Sequence, residues 1–219
     1  MKKNTLIMVD LQNDFCPGGR LAVPDADLII PLVNELQPFF HHVVATLDWH
    51  PKDHTSFASN HPGHQIGDVL IMDQIPQILW PDHCVQGSEG AQFHPNLNVQ
   101  RVRKIFKKGI DKNIDSYSAF FDNAHRRATG LADYLHEQNI KEVYLLGLAT
   151  DYCVKYSCID AANLGFDVYV IVDACRGVEL KPGDCAKAFQ EMEQAGAHLI
   201  TSKKIKETQS LKPTESSLW

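Results

Sequence analysis

The chain has 219 residues, enough for one large α/β domain or two small ones, and its 44% hydrophobic and 22% charged residues are ordinary for a soluble globular protein. Its formal net charge of -6 argues against a nucleic-acid partner, because phosphate contacts demand a basic face. No apolar run approaches a membrane span, and the apolar stretch after Lys2 and Lys3 stops at Asp10, too soon for a signal peptide, so a cytoplasmic location is expected. Six dispersed cysteines (Cys16, Cys84, Cys153, Cys158, Cys175 and Cys185) contain no CxxC pair, so free thiols are expected in preference to disulfides.

In chain order, the first buried-strand pattern is the apolar run 5–9, followed by a helical pattern over 25–40 that Pro31 and Pro38 weaken. A second strand, 43–47, leads into a long segment, 51–100, rich in His, Pro and Gly, with apolar material only at 69–72 and 75–80. Connections this long are uncommon unless they carry function, so this segment is expected to wrap over the carboxyl ends of the strands. Strands at 102–106, 143–148, 168–172 and 198–201 then alternate with helical patterns at 128–138, 151–164 and 185–195. This alternation predicts an open parallel sheet with helices on both faces. The expected organisation is a single domain over 1–202, with an insertion at about 51–100, and a polar tail over 203–219.

Three chemistry-bearing residues fall at or just after strand ends: Asp10 in "LIMVDLQNDF", Lys108 in "RKIFKKGID" and Cys153 in "LLGLATDYCV". In a parallel sheet all three point into one crevice, which suggests a nucleophilic cysteine with an acid/base partner. Thr150 and Asp151 are helix-capping types, so Cys153 is expected in the first turn of a helix, where backbone N–H groups favour a thiolate and can hold an oxyanion. Asp14 competes with Asp10, and Lys107 with Lys108; the preference for Lys108 rests on the glycine that follows it. In "TLDWHPKDHTSF", Asp48 and His50 project to the same side of an extended chain, His54 follows a turn, and "WPDHCVQG" offers His83 and Cys84. Such a set can hold a divalent metal, whereas a solvated histidine-rich turn is the plainer alternative, expected for His61, His64 and His94.

Together "VDLQNDFCPGG", "TLDWHPKDHTSF", "WPDHCVQGSEGAQFHP", "KGIDKNIDSYSAF" and "GLATDYCV" resemble the nicotinamidases (pyrazinamidases) of the isochorismatase-like cysteine hydrolase superfamily, from Leu6 to about Ala174. The resemblance implies a three-layer α/β/α fold with a six-stranded parallel sheet. It also implies a deamidase converting nicotinamide to nicotinate and ammonia in NAD salvage, with pyrazinamide as a further substrate. It places the catalytic residues on Asp10, Lys108 and Cys153 and the metal ligands on Asp48, His50 and His83. His54 matches a histidine that ligates the metal in some members, so its role stays open. Phe15, Trp80 and Tyr117 match residues that wall the ring pocket. A cis peptide is implied between Leu148 and Ala149, with the amides of Ala149 and Cys153 as the oxyanion hole. Zn2+ is the implied metal, with Fe2+ and Mn2+ as alternatives, and a homo-oligomer is left open. Two other readings are compatible with the same residues: a metal-free amidase or isochorismatase-like hydrolase, and a non-catalytic metal-binding or redox-sensing protein.

Overall fold

The structure, a computed structural model, describes residues 4–210. Its strands are β1 (Asn4–Val9), β2 (His42–Asp48), β3 (Val69–Met72), β4 (Ile75–Ile78), β5 (Val102–Lys108), β6 (Glu142–Leu148), β7 (Asp167–Arg176) and β8 (His198–Ile200). Its α-helices are α1 (Ile30–Leu36), α2 (Leu131–Glu137), α3 (Lys155–Asn163), α4 (Asp184–Gln194) and α5 (Ser202–Ser210). Six strands form one parallel sheet in the order β5-β2-β1-β6-β7-β8, while β3 and β4 pair as a separate antiparallel hairpin.

The central strands explain their own sequence. Leu6, Ile7, Met8 and Val9 of β1 are all fully buried, as a parallel strand covered on both faces requires. The edge strand β5 instead exposes Arg103 and Lys104, charges that discourage pairing with another chain. From β1 the chain builds outward through β2 to β5, then returns to the other side of β1 with β6 and continues to β7 and β8. The reversal lies between β1 and β6, and ligands of open α/β sheets bind at the carboxyl ends beside such a switch point. There Gly147, at φ 121°, lets β6 close on β1: a Cβ in its place would lie 2.2 Å from the Val9 carbonyl oxygen.

Three expectations change in detail. The helix expected over 25–40 is broken into a 3-10 turn (Ala26–Ile29), α1 and a second 3-10 turn (Gln37–Phe39). Pro31 fits the first turn of α1, where its missing N–H costs nothing, but Pro38 cannot continue the α pattern. The polar tail expected from Lys203 begins as α5, held at its start by Asp173, which accepts from the Ser202 N–H (2.8 Å) and hydroxyl (2.6 Å). Ile205 packs that helix into the core, and 211–219 lie outside the described residues. The 51–100 segment contains the β3–β4 hairpin and is laced to the end of β2, with the His50 N–H donating to the Cys84 carbonyl (3.0 Å) and the Gln86 N–H to that of His50 (2.8 Å). No helix among the described residues is long and apolar enough to cross a membrane.

Candidate active site

Four adjacent strands, β5, β2, β1 and β6, deliver one candidate side chain each to the same end of the sheet. Asp10 directly follows β1, Asp48 ends β2, Lys108 ends β5, and Cys153 lies in the turn after β6. Asp48 and Lys108 are register partners. The Lys108 Nζ is the hub: it lies 2.8 Å from Asp10 Oδ2, 2.7 Å from Asp48 Oδ1, 3.0 Å from the Ser116 carbonyl oxygen and 3.3 Å from Cys153 Sγ. Both carboxylates and the lysine are buried, so none of this charge is screened by water.

The competing residues separate cleanly. Strand alternation turns Lys107 outward onto the Trp49 ring, 3.7 Å from its centroid, while Lys108 is 2% exposed. Asp14 is occupied as a loop fastener, accepting from the backbone N–H of Cys84 (2.7 Å) and Arg20 (3.2 Å). Asp10 is held by Thr46, whose hydroxyl donates to Oδ1 at 2.6 Å and accepts from the Asp10 N–H at 3.2 Å.

Electrostatics follow from burial. Burial raises the Asp10 pKa above the usual carboxylate range, and Asp48 adds to this against the pull of Lys108. Burial likewise pushes the Cys153 thiol well up, although Lys108 pulls it down. Burial opposes the charge on Lys108, yet Asp10 and Asp48 outweigh it and hold the ammonium protonated far above its ordinary range. The resting arrangement is therefore a thiol and a carboxylate of heightened basicity, both in contact with the Lys108 ammonium. The expectation of a capped helix start favouring a thiolate is corrected here. Ala149 holds the capping position without a side-chain bond, and Cys153 sits in a wide π-helical turn, Thr150–Val154, ahead of α3. The Leu148–Ala149 peptide is cis.

On the other side of Asp48, its Oδ2 faces His50 Nε2 at 3.1 Å and His83 Nε2 at 3.4 Å. His50 Nδ1 is bonded to the Gly109 carbonyl (3.0 Å) and His83 Nδ1 to that of Pro81 (2.8 Å). A ring nitrogen facing a carbonyl must carry the proton, so in each neutral ring Nε2 is the nitrogen whose lone pair faces the carboxylate oxygen. Three lone-pair donors facing one another within 4.8 Å fit a divalent cation. Burial pushes the His50 pKa down, but Asp48 more than reverses this, as expected of a site that recruits positive charge. Gly109, at φ 63°, makes the contact possible: a Cβ there would lie 2.3 Å from His50 Cε1.

His54 is near but differently engaged. Its ring lies 4.3 Å from that of His50, with Nδ1 2.7 Å from the Ser56 hydroxyl and Nε2 3.3 Å from the Ile114 carbonyl oxygen. Burial, then His50, pushes its pKa down to about 4. It shares a second group of donors with His50 and Asp115, not the Asp48 oxygen. Cys84 belongs to neither group. His64 is exposed, as expected for a solvated turn, whereas His61 is bonded to the Thr55 carbonyl at 2.7 Å.

Beside Cys153 lies a narrow, half-open pocket of about 30 Å³ that Asp48 and His83 also line. Phe15, Trp80 and Tyr117 wall it together with Leu21, Tyr152 and Val178, and the Trp80 indole N–H donates to the Tyr117 hydroxyl at 3.1 Å. A wider cleft of about 330 Å³ lies beside the hairpin, around Asp73 and Arg126, away from Cys153. The structure adds residues that the sequence did not single out. Thr46 holds Asp10. Gln12, fully buried, clamps Asp48 by accepting from its N–H (2.8 Å) and donating to its carbonyl (2.8 Å). Thr46 lies inside an apolar run, so only its polarity marks it; Gln12 stands within the quoted motif but carries no spacing signal.

The isochorismatase domain model matches residues 4–204. Over 213 residues, 95% of this chain and 100% of the relative, the sequence is 50% identical to the nicotinamidase of Escherichia coli (strain K12). A solved nicotinamidase/pyrazinamidase of Acinetobacter baumanii superposes with a TM-score of 0.91 at 47% identity, covering 94% of this chain and 99% of that one. The pyrazinamidase of Pyrococcus horikoshii, solved in complex with zinc, gives a TM-score of 0.75 at 37% identity over 91% of this chain and 99% of that one. With a buried thiol at the switch point of a six-stranded parallel sheet and a family match over nearly its whole length, the chain belongs to the isochorismatase family of hydrolases.

Proposed function

We propose that the protein deamidates nicotinamide to nicotinate and ammonia, and pyrazinamide to pyrazinoate, through a thioester on Cys153, as a step of NAD salvage. The observation that carries this reading is the four-way contact at Lys108, which joins Asp10, Cys153 and Oδ1 of Asp48, the carboxylate whose other oxygen faces His50 and His83, in one buried cluster. The names of the relatives support the substrate, and the aromatic space beside Cys153 suits a planar ring.

In this mechanism Asp10 takes the proton from Cys153 Sγ, a transfer favoured by its raised pKa. Lys108 keeps the carboxylate in place and compensates the charge that develops on sulfur. The sulfur attacks the carboxamide carbon, and the backbone N–H groups of Ala149 and Cys153 are assigned to the resulting oxyanion. Asp10 returns its proton to the amide nitrogen, the C–N bond breaks, and ammonia leaves a thioester. Asp10 then deprotonates a water that hydrolyses the thioester, restoring the thiol and releasing nicotinate. Asp48, His50 and His83 would hold a divalent ion: zinc by analogy with the Pyrococcus relative, with iron(II) or manganese(II) as alternatives. When bound, such an ion supplies a Lewis-acidic contact for the pyridine nitrogen. Phe15, Trp80 and Tyr117 flank the ring. His54 buttresses His50, and the chain acts as one domain that takes in Ile205 of α5 and whose 51–100 segment supplies His83.

The test is ammonia release from nicotinamide by the purified protein, before and after chelation and after zinc is restored. Release that is lost on chelation and recovered with metal is expected. No release from the metal-replete protein would overturn the assignment.

A further inference from the structure

The pocket beside Cys153, about 30 Å³, is narrow and half open, so where its walls stand decides which substituents a bound ring can carry. Trp80 and Tyr117 brace each other through their hydrogen bond, whereas Val178 stands on the loop after β7 and is half-buried. That loop does not hold its own shape. Glu179, next to Val178, sits at φ 54°, a conformation that a non-glycine residue keeps only when its surroundings impose it.

The imposing group is Asp151, two residues before Cys153. Its buried carboxylate accepts from the N–H of Val178 through Oδ1 (2.9 Å) and from that of Glu179 through Oδ2 (2.8 Å). Glu179 in turn accepts from the N–H of Gly183 (2.7 Å) and of Cys185 (3.0 Å), which ties the loop to the start of α4. Asp151, Glu179 and Cys185 lie close enough to be read as a metal site. All four carboxylate oxygens are already engaged by backbone N–H groups, so the cluster is a clasp. Gly177 lies under it: a Cβ there would lie 2.0 Å from Cys185 Sγ and 3.1 Å from Asp151 Oδ1.

We propose that Asp151 is a specificity-positioning residue: it clamps the loop after β7 to the nucleophile turn so that Val178 closes the ring pocket and excludes substituted rings. This rests on the nicotinamidase reading of the same site. Asp151→Asn replaces one acceptor by an NH2 group that faces a backbone N–H, so one bond is lost and the loop relaxes outward.

The experiment measures kcat/KM for nicotinamide and for its 4-, 5- and 6-methyl derivatives with the metal-loaded parent, Asp151→Asn, Asp151→Glu and Val178→Ala. Taken within one preparation, the ratio of nicotinamide to the derivative the parent disfavours most is independent of how much protein is folded. That ratio should fall about tenfold in Asp151→Asn, the scale of one methyl group in a hydrophobic pocket. Val178→Ala should reproduce the fall, and Asp151→Glu, which keeps both acceptors, should recover part of the parent ratio. An unchanged ratio in Asp151→Asn, with all rates reduced in proportion, would make the clasp a structural brace and overturn the proposal. A shift in Asp151→Asn that Val178→Ala does not share would also overturn it, because the wall residue would then be another. A parent that hydrolyses none of these amides would instead overturn the underlying functional reading.

Discussion

Thr46→Val removes one hydroxyl from a fully buried position of β2 and keeps the shape of the side chain. The hydroxyl donates to Asp10 Oδ1 at 2.6 Å and accepts from the Asp10 N–H at 3.2 Å, so one substitution leaves both a carboxylate oxygen and a backbone donor without it. A hydrogen bond to a charged group contributes about 1.5–3 kcal/mol and a neutral one about 1 kcal/mol. The gained methyl group offsets roughly 0.8 kcal/mol of that loss. The expected net destabilisation is about 2–3 kcal/mol, read as a lower urea midpoint at unchanged slope. Because Thr46 and Lys108 together orient the Asp10 carboxylate, kcat for nicotinamide should also fall, by about tenfold or more. Thr46→Ser, which restores the hydroxyl, should recover most of the activity. A Thr46→Val protein with parent-like kcat and a stability change below about 0.5 kcal/mol would refute the claim that this hydroxyl anchors the base.

Cys153→Ala should abolish ammonia release while leaving circular dichroism and bound zinc unchanged, since its sulfur contacts Lys108 but none of the proposed ligands. His83→Ala should lose zinc on dialysis, whereas His54→Ala should retain it, because both His54 nitrogens are engaged by Ser56 and Ile114. Equal zinc loss in the two variants would make His54 a ligand. Gly109→Ala places a Cβ 2.3 Å from His50 Cε1 at φ 63°, so it should cost at least about 2 kcal/mol in urea unfolding and weaken zinc retention.

The parallel sheet was legible because its central strands are continuous apolar runs, and that pattern alone put Asp10, Cys153 and the Lys107–Lys108 pair at or just after strand ends. Local capping chemistry was less legible. Asp151 is of a helix-capping type, yet its carboxylate reaches 27 residues ahead to the Val178 N–H, a long-range use that no local rule encodes. The choice of Lys108 over Lys107 depends on the phase of β5, which only its pairing with β2 fixes. His83 is reached through backbone bonds between His50 and residues 84–86, a pairing invisible in a segment without strand periodicity. The helical start of the tail was hidden because α5 buries little beyond Ser202 and Ile205 among its described side chains.

The central claim is that Cys153 forms an acyl intermediate with the substrate. The most direct measurement mixes metal-loaded protein with excess nicotinamide, quenches it in acid within the first turnover, and maps the peptides by mass. A nicotinoyl group on the peptide carrying Cys153, absent from those carrying Cys16, Cys84, Cys158, Cys175 and Cys185, is the predicted result. A first-turnover burst of ammonia with Cys153 unmodified, or with the nicotinoyl group on another residue, would contradict the account.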